Sequence, residues 1–373
     1  MNTPRVEIDL GKIQGNARCL VRRLGARGIS VTGVTKAVCG HPDVAKAMLD
    51  GGVCGLADAR ISNIIRMHAA GIRCPISMIR APMVHETKDV IRCCDASYNT
   101  EMDTIQNLGA AAREKAIVHN IILMVEMGDM RDGVMPEDLN DVAAQVAATP
   151  GVALKGIAAN FACLGNVAPT ADDLAMLSRL ADQVEGECGP YVALVSGGGS
   201  ANLAWALSEV STGRVNNLRL GEAILLGTDP VTGKPIDGLH TDAFALFAEV
   251  IEAKLKSSSM PTKPSPLDYG KLELVSNIGQ TNRSILAVGQ QDTDASGLKF
   301  SSGVGFIGAT SDHTVIDTDN ADVSVGSEMK TGVNYSALTR AMSAPDVAKA
   351  VHGKLTMNES AKNRETHPFL TLV

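Results

Sequence analysis

From about residue 29 to residue 227, short runs of β-branched and aliphatic residues alternate with stretches rich in Ala, Leu, Arg and Glu whose apolar positions follow a helical period. The first kind of run reads as strand and the second as helix, so the pattern predicts repeated βα units. Eight candidate strands stand out: ISVTGVTKAV (29–38), GLAD (55–58), PISMIR (75–80), ASYNT (96–100), IILMVEMG (121–128), GIAANFA (156–162), YVALVSGGG (191–199) and NLRLGEAILLG (217–227). Eight parallel strands with intervening helices specify an α/β fold of the (β/α)8 TIM-barrel type, which carries its chemistry at the C-terminal ends of the strands.

After residue 228 the texture changes. TDPVTGKPIDG reads as loop, and SSSMPTKPSPLDYG as a Pro- and Ser-rich connector or insertion. The segments ALFAEVIEAKL, KLELVSNI, RSILAVG, GFIGAT, HTVIDT and DVSVGSEMK are short, β-rich and punctuated by turns, which predicts a second, mostly antiparallel β domain. The expected boundaries are a barrel over 11–236, a β domain over 1–10 plus 237–354, and a tail over 355–373 without clear period.

Composition narrows the class without changing the fold. Apolar residues make up 45% of the 373 and charged residues 20%, enough aliphatic material for a buried core and no sign of disorder. The net charge is −7 and Lys and Arg are scattered, so there is no basic stripe to follow a nucleic-acid backbone. The opening MNTPRVEIDL has no apolar run of the secretory kind, and no stretch approaches the roughly 20 apolar residues of a membrane span. A cytoplasmic protein with no membrane partner is the expectation. All eight cysteines precede residue 189 and none forms a CxxC pair, so neither a zinc ribbon nor a redox dithiol is indicated and no metal site is expected.

Three features carry candidate chemistry. Lys36 stands at the end of the first candidate strand, where partial burial would lower its pKa and free the amine as a nucleophile. Read alone, such a lysine can equally reach out to solvent. In VSGGGSANLAW, Ser196, Gly197, Gly198, Gly199 and Ser200 lie between a strand and a helix, where bare backbone amides and a hydroxyl can cradle an anion or simply make a tight turn. In NNLRLGEAILLG, Arg219 comes from the eighth strand with Gly221 just after it; an inward Arg can pair with any neighbouring carboxylate.

Together these features resemble the alanine racemase family, the barrel-plus-β-domain class of pyridoxal-phosphate enzymes, along most of the chain. The resemblance implies that Lys36 in VTKA carries the cofactor as a Schiff base. It implies that Ser200 and Gly221, with Ser196 and Gly199 beside them, bind the phosphate, that Arg219 meets the pyridine nitrogen, and that Arg131 in MGDMRDG approaches the cofactor hydroxyl. Asn160 replaces the family histidine at the end of strand six. A guanidinium does not surrender a proton, so Arg219 would leave the ring nitrogen unprotonated and favour racemisation over transamination. The motifs VSGGGSA, NFACLG, AVGQQDTD, TSDHTVID and VNYSALTRAM are most similar to ornithine racemases and alanine/ornithine racemases, which implies a racemase of ornithine or another basic amino acid acting at Cα. An alanine or broad-specificity racemase, or a non-catalytic pyridoxal-phosphate-binding protein, remain the alternatives.

The resemblance also implies a homodimer with shared active sites, in which the β domain of one chain closes the barrel mouth of another. Here the pattern departs. Where the family has a catalytic tyrosine in GYADG, this chain has Gln290, whose neutral amide cannot take the α-proton. The family's phosphate-binding tyrosine is also absent, with Cys39 in that neighbourhood. Racemisation needs a proton carrier on each face of the planar intermediate, and Asp292, His313 and Cys163 are candidates opposite Lys36. Each has an ordinary reading as well: turn-capping carboxylate, structural histidine, inert barrel thiol. Asp292, Asp294 and Asp312 are the β-domain acids that could meet a basic side chain. The related decarboxylases use a β-domain cysteine, and this chain has none after Cys188. The same absence weighs against a zinc-dependent dehydratase, while the single-barrel cofactor-binding proteins lack a second domain.

Overall fold

The structure is a computed structural model that describes residues 4–165, 167–257, 280–319, 321 and 323–353. The connector from residue 258 onward, the expected strand KLELVSNI and the tail over 355–373 lie outside the described residues. The chain divides into two compact units: one of residues 10–36 and 40–240, the other of residues 4–9, 37–39 and 241–353.

After β1 (Arg5–Asp9), the first unit holds β2 (Ser30–Val34), β3 (Gly55–Asp58), β4 (Ile76–Met78), β5 (Ala96–Asn99), β6 (His119–Val125), β7 (Val152–Ala159), β8 (Leu194–Ser196) and β9 (Asn217–Leu220). These eight pair in sequence order and β9 pairs back with β2, closing a parallel barrel. Side chains inside the barrel and helices outside bury both faces, which is why β3, β5 and β9 are buried at every position. Tyr98, Ile122, Met124 and Ala158 pack together in its interior. The long helix Ala171–Cys188 starts on a capping box between Thr170 and Asp173 and buries Leu174, Leu177, Leu180, Ala181 and Val184, the stripe that a 3.6 period predicts.

Several expected strands are shorter than the apolar runs suggest: 75–80 narrows to Ile76–Met78, 191–199 to Leu194–Ser196, and the first and eighth end early. The eighth ends at Leu220, and GEAILL turns into the helix Glu222–Leu226, whose Ala223, Ile224, Leu225 and Leu226 are all buried. A short apolar run fits a buried helix as well as a buried strand, and alternation cannot separate the two. The first ends at Val34; Lys36–Val38 form a 3-10 turn, followed by Cys39 and Gly40 at φ of 53° and 63°. Lys36 therefore projects from a turn beyond the strand, and strand alternation does not set its direction.

The second unit is an eight-stranded, mostly antiparallel sheet. Its strands are β1, β10 (Phe244–Ser257), β11 (Gln280–Leu286), β12 (Leu298–Lys299), β13 (Gly305–Ala309), β14 (Thr314–Asp317), β15 (Glu328–Val333) and β16 (Ala348–His352). The order runs β12-β15-β10-β11-β14-β13, with β1 pairing antiparallel to β10 and parallel to β16. Arg5 stitches this sheet: it is 6% exposed, donates to both carboxylate oxygens of Glu328 at 2.6 and 2.9 Å, and lies 4.4 Å over the Phe247 ring.

Candidate active site

The polar residues of the barrel mouth come from the ends of β2, β3, β6, β7, β8 and β9. Arg219 on β9 is 6% exposed and fully engaged: Nη1 donates to Ser196 Oγ at 2.7 Å, and Nη2 donates to Ala159 O at 2.9 Å and Asn160 Oδ1 at 2.7 Å. Its guanidinium lies 5.1 Å over the Tyr98 ring. Ser196 in turn donates to Asn217 Oδ1 at 2.9 Å, and Asn217 donates to Ser30 and Thr32 on β2. A charge this deep needs such a set of acceptors to hold it.

Asn160 passes the network outward. Its Nδ2 donates to Asp132 Oδ1 at 3.3 Å, and the same Asp132 oxygen accepts from Arg131 Nε at 2.7 Å. The two arginines of the sequence reading are thereby joined through one amide and one carboxylate. Asp129, 5% exposed, lies 3.8 Å from Arg131 Nε and accepts the backbone N–H groups of Cys163 and Leu164 at 2.7 and 3.1 Å. Met130 and Ala162, which directly precede Arg131 and Cys163, both adopt positive φ, 54° and 57°. Non-glycine residues held there are strained, and the bonds to Asp129 are what hold this pair of loops.

Lys36 reaches solvent from its turn, yet it is ringed closely enough that desolvation lowers its pKa; Arg131 and Arg219 push the same way, and Cys163 and Asp58 oppose them. A larger neutral fraction makes the amine a better nucleophile. Beneath it lies Asp58 at the end of β3, 0% exposed, accepting from Thr35 Oγ1 at 2.7 Å, Asn63 Nδ2 at 2.9 Å and Arg60 N at 3.0 Å. Burial pushes this carboxyl above its usual range and the three hydrogen bonds pull it back. Cys163 is open to solvent at the rim, but crowding pushes its thiol pKa up, Asp129 adding to the effect while Arg131 and Lys36 counter it.

The glycine loop follows β8, between β7 and β9. Gly198 sits at φ 118°, and a Cβ there would collide with Asn202 Oδ1. The 3-10 turn Ser200–Asn202 that follows has no side-chain cap, and Ser200 Oγ accepts from Ala223 N at 3.1 Å, tying this turn to the helix after Gly221. Uncapped amides around a hydroxyl are an anion cradle.

The barrel unit thus brings together Lys36, Arg131, Asn160, Cys163, Ser196 and Arg219 in one electrostatic neighbourhood, with Gly199, Ser200 and Gly221 in the cradle. Asp292 and His313 belong to the β unit. The Asp292 carboxylate accepts Gly289 N at 2.9 Å across its own turn, and His313 Nδ1 pairs with Asp312 at 2.8 Å. Gln290 Oε1 accepts from Arg340 at 3.4 Å. Sequence reasoning missed Asp58, Asp129, Asp132 and Tyr98. Asp58 ends a wholly apolar strand at the catalytic face, a signal that was there to read; Asp129 and Asp132 flank Arg131 and are indistinguishable from solvated acids until the loops are folded.

No group of His, Cys, Asp and Glu among the described residues could hold a metal ion, and none of the described helices is long and apolar enough to cross a membrane. The chain is similar to a lysine racemase from Thermotoga maritima, with 36% identity over 93% of this chain and 98% of that protein. It is similar to an ornithine racemase from Acetoanaerobium sticklandii, with 32% identity over 93% of this chain and 99% of that one. Among solved structures, an alanine racemase from Streptomyces lavendulae superposes with a TM-score of 0.73 at 19% identity, covering 95% of this chain and 98% of the other, a likeness of fold. A D-threonine aldolase from Filomicrobium marinum shares the fold as well, with a TM-score of 0.71 at 15% identity over 91% and 88%. Residues 8–229, the whole barrel, match the family described as "Alanine racemase, N-terminal domain", and to that family this chain belongs.

Proposed function

We propose that this protein is a pyridoxal-phosphate-dependent racemase of a basic amino acid, ornithine or lysine, working at Cα. The observation that carries the reading is the pairing of a lysine whose ammonium is disfavoured with a buried arginine locked by four acceptor and ring contacts in the same barrel mouth. The similarity to a lysine and an ornithine racemase over nearly the full chain supports the substrate class.

The residues fit the cofactor. Lys36 offers the amine that would hold it covalently, Ser200 and the uncapped amides of its turn a phosphate site, Arg219 a fixed cation for the pyridine nitrogen, and Arg131 a donor for the ring oxygen. Gly198 keeps the phosphate loop free of a side chain that its conformation would not admit. When bound, pyridoxal phosphate supplies an electron sink that makes the Cα hydrogen of an attached amino acid acidic. Arg219 keeps its own proton, so beside a bound cofactor it would leave the ring nitrogen unprotonated and favour return of the proton to Cα. Lys36, poised toward its neutral form, takes or gives that proton on one face.

A homodimer and a cytoplasmic location belong to the same reading. The substrate's terminal ammonium needs an acid, and Asp58, Asp129 and Asp132 at the barrel mouth already accept hydrogen bonds from their own chain. The β-unit acids Asp292, Asp294 and Asp312 are then the candidates, offered by a partner subunit. The eight thiols, all free, support a reducing compartment.

The test is an absorbance spectrum with pyridoxal phosphate, followed by chiral analysis after incubation with L-ornithine, L-lysine and L-alanine, beside Lys36→Ala. A cofactor band lost in the variant, together with D-ornithine or D-lysine formed by the wild type, is the expected result. A band without inversion of any substrate favours a binding protein, and no band sinks the assignment of Lys36.

A further inference from the structure

A racemase with one proton carrier can exchange the α-hydrogen but inverts slowly, because the second face of Cα has no donor. Gln290 cannot serve. We infer that Cys163 is the second acid–base group of the reaction and that Asp129 is the residue that positions it. This rests on the racemase reading above.

The loop geometry carries the inference. Asp129 Oδ1 accepts from the amides of Cys163 and Leu164, fixing the backbone at the thiol, while Ala162 at φ 57° turns the chain just before it. The second oxygen, Oδ2, is buried and receives no hydrogen bond among the described residues; Arg131 Nε at 3.8 Å is too far to donate. A carboxylate oxygen left bare in a side chain that is 4% exposed carries a desolvation cost, and the thiol it faces is a donor that can meet it. The thiol's present acceptor is the weak contact to Phe161 O at 3.7 Å. The groups charged or titrating around Cys163 are Asp129, Arg131 and Lys36, all from the barrel mouth.

The pair is complementary in chemistry. Burial moves the Lys36 amine and the Cys163 thiol each toward its neutral form, a nitrogen that can accept a proton and a thiol that can donate one. In one direction Lys36 Nζ takes the Cα proton: the C–H bond breaks, an N–H bond forms, and the electron pair would be held by the sink that bound pyridoxal phosphate supplies. Cys163 then gives its proton to the other face: the S–H bond breaks, a new Cα–H bond forms with the returned pair, and a thiolate remains. Proton transfer from the Lys36 ammonium to that thiolate through solvent resets the site, with no net oxidation. In the opposite direction the thiolate takes the proton and the ammonium gives it.

The experiment compares the wild-type holoenzyme with Cys163→Ala in deuterated water, using L- and D-ornithine and following inversion and α-deuterium incorporation separately. The expected result is inversion slowed at least about 100-fold while one enantiomer still exchanges its α-hydrogen without inverting, through Lys36. Inversion within a few-fold of wild type, or loss of exchange from both enantiomers alike, would overturn the proposal; Cys163→Ser serves the same comparison should Ala not fold. In the cofactor-free protein, the pH profile of Cys163 alkylation by iodoacetamide, read by peptide mass spectrometry, must move to lower pH in Asp129→Asn, and an unmoved profile rejects Asp129 as the positioning group. A wild type that neither exchanges nor inverts any basic amino acid fails the racemase reading itself, a result distinct from failure of Cys163 alone.

Discussion

Thr35 donates its hydroxyl to Asp58 Oδ2 at 2.7 Å, one residue before Lys36 leaves the barrel wall. The same carboxylate receives Asn63, whose backbone packs so closely on the left-handed Gly40 that a Cβ there would lie 2.8 Å away. Asp58 therefore anchors both ends of the lysine turn. Asp58→Ala strands the Asn63 amide in a dry site and leaves the Thr35 hydroxyl only its long contact to Ala57 O at 3.4 Å, and the expected loss is about 2–4 kcal/mol of stability, measured by urea unfolding of the cofactor-free protein. Asp58→Asn keeps the shape, removes the negative charge that favours the Lys36 ammonium, and lowers the lysine pKa further; the pH dependence of cofactor attachment is the check.

Gly198→Ala asks for an L side chain at φ 118° beside Asn202. Strain of about 1–3 kcal/mol there falls on the phosphate loop, away from the reacting atoms. Cofactor affinity drops by about tenfold or more, while the turnover of the saturated enzyme changes less. Titration with pyridoxal phosphate separates the two.

Arg219→Lys keeps the charge and loses the fork that reaches Ser196, Ala159 and Asn160 at once. One lost charged hydrogen bond is worth about 1.5–3 kcal/mol, on the order of a 10- to 100-fold fall in kcat/KM. Arg219→Glu is predicted to raise keto-acid formation relative to inversion, since a carboxylate lets the ring nitrogen keep a proton. Product analysis by chiral chromatography and a keto-acid assay reads both.

His119, at the far end of the barrel from Lys36, is 2% exposed and contacts Ser97 Oγ through Nε2 at 2.9 Å. Burial lowers its pKa from 6.5 to about 4. The unfolded chain then binds a proton more readily than the folded one, so this stabilisation is complete above pH 6.5 and is lost as the pH falls toward 4. The loss amounts to roughly 3 kcal/mol. Urea unfolding of wild type and His119→Gln at pH 7 and pH 5 should show a steeper decline in the wild type.

The barrel was legible because β-branched runs buried on both faces leave a strong local pattern, as in HNIILMV of β6. Strand ends were not, since EAILL is apolar whether it continues a strand or coils into a helix, and Lys36 follows its strand through a turn set by contacts elsewhere. Lys36, Arg131 and Arg219 could be picked out by resemblance, each from its own few neighbours. The carboxylates that link them could not. Asp132 meets Asn160 across 28 positions and Asn160 meets Arg219 across 59, so these bonds exist only once the barrel has closed.

The first strand of the chain, β1, is held between β10 and β16, with Arg5 opposite Phe247 on one side and Ala348 on the other. On the ribosome, residues 5–9 emerge about 340 residues ahead of their last partner; at roughly 5–20 residues per second that is a wait of some tens of seconds. The barrel, whose strands pair in sequence order, can form during that interval, whereas the β sheet can be finished only once β16 has emerged. Removing residues 348–352 would leave β1 with a bare edge, and a nascent chain arrested before that point should show a protease-resistant barrel beside an unfinished sheet.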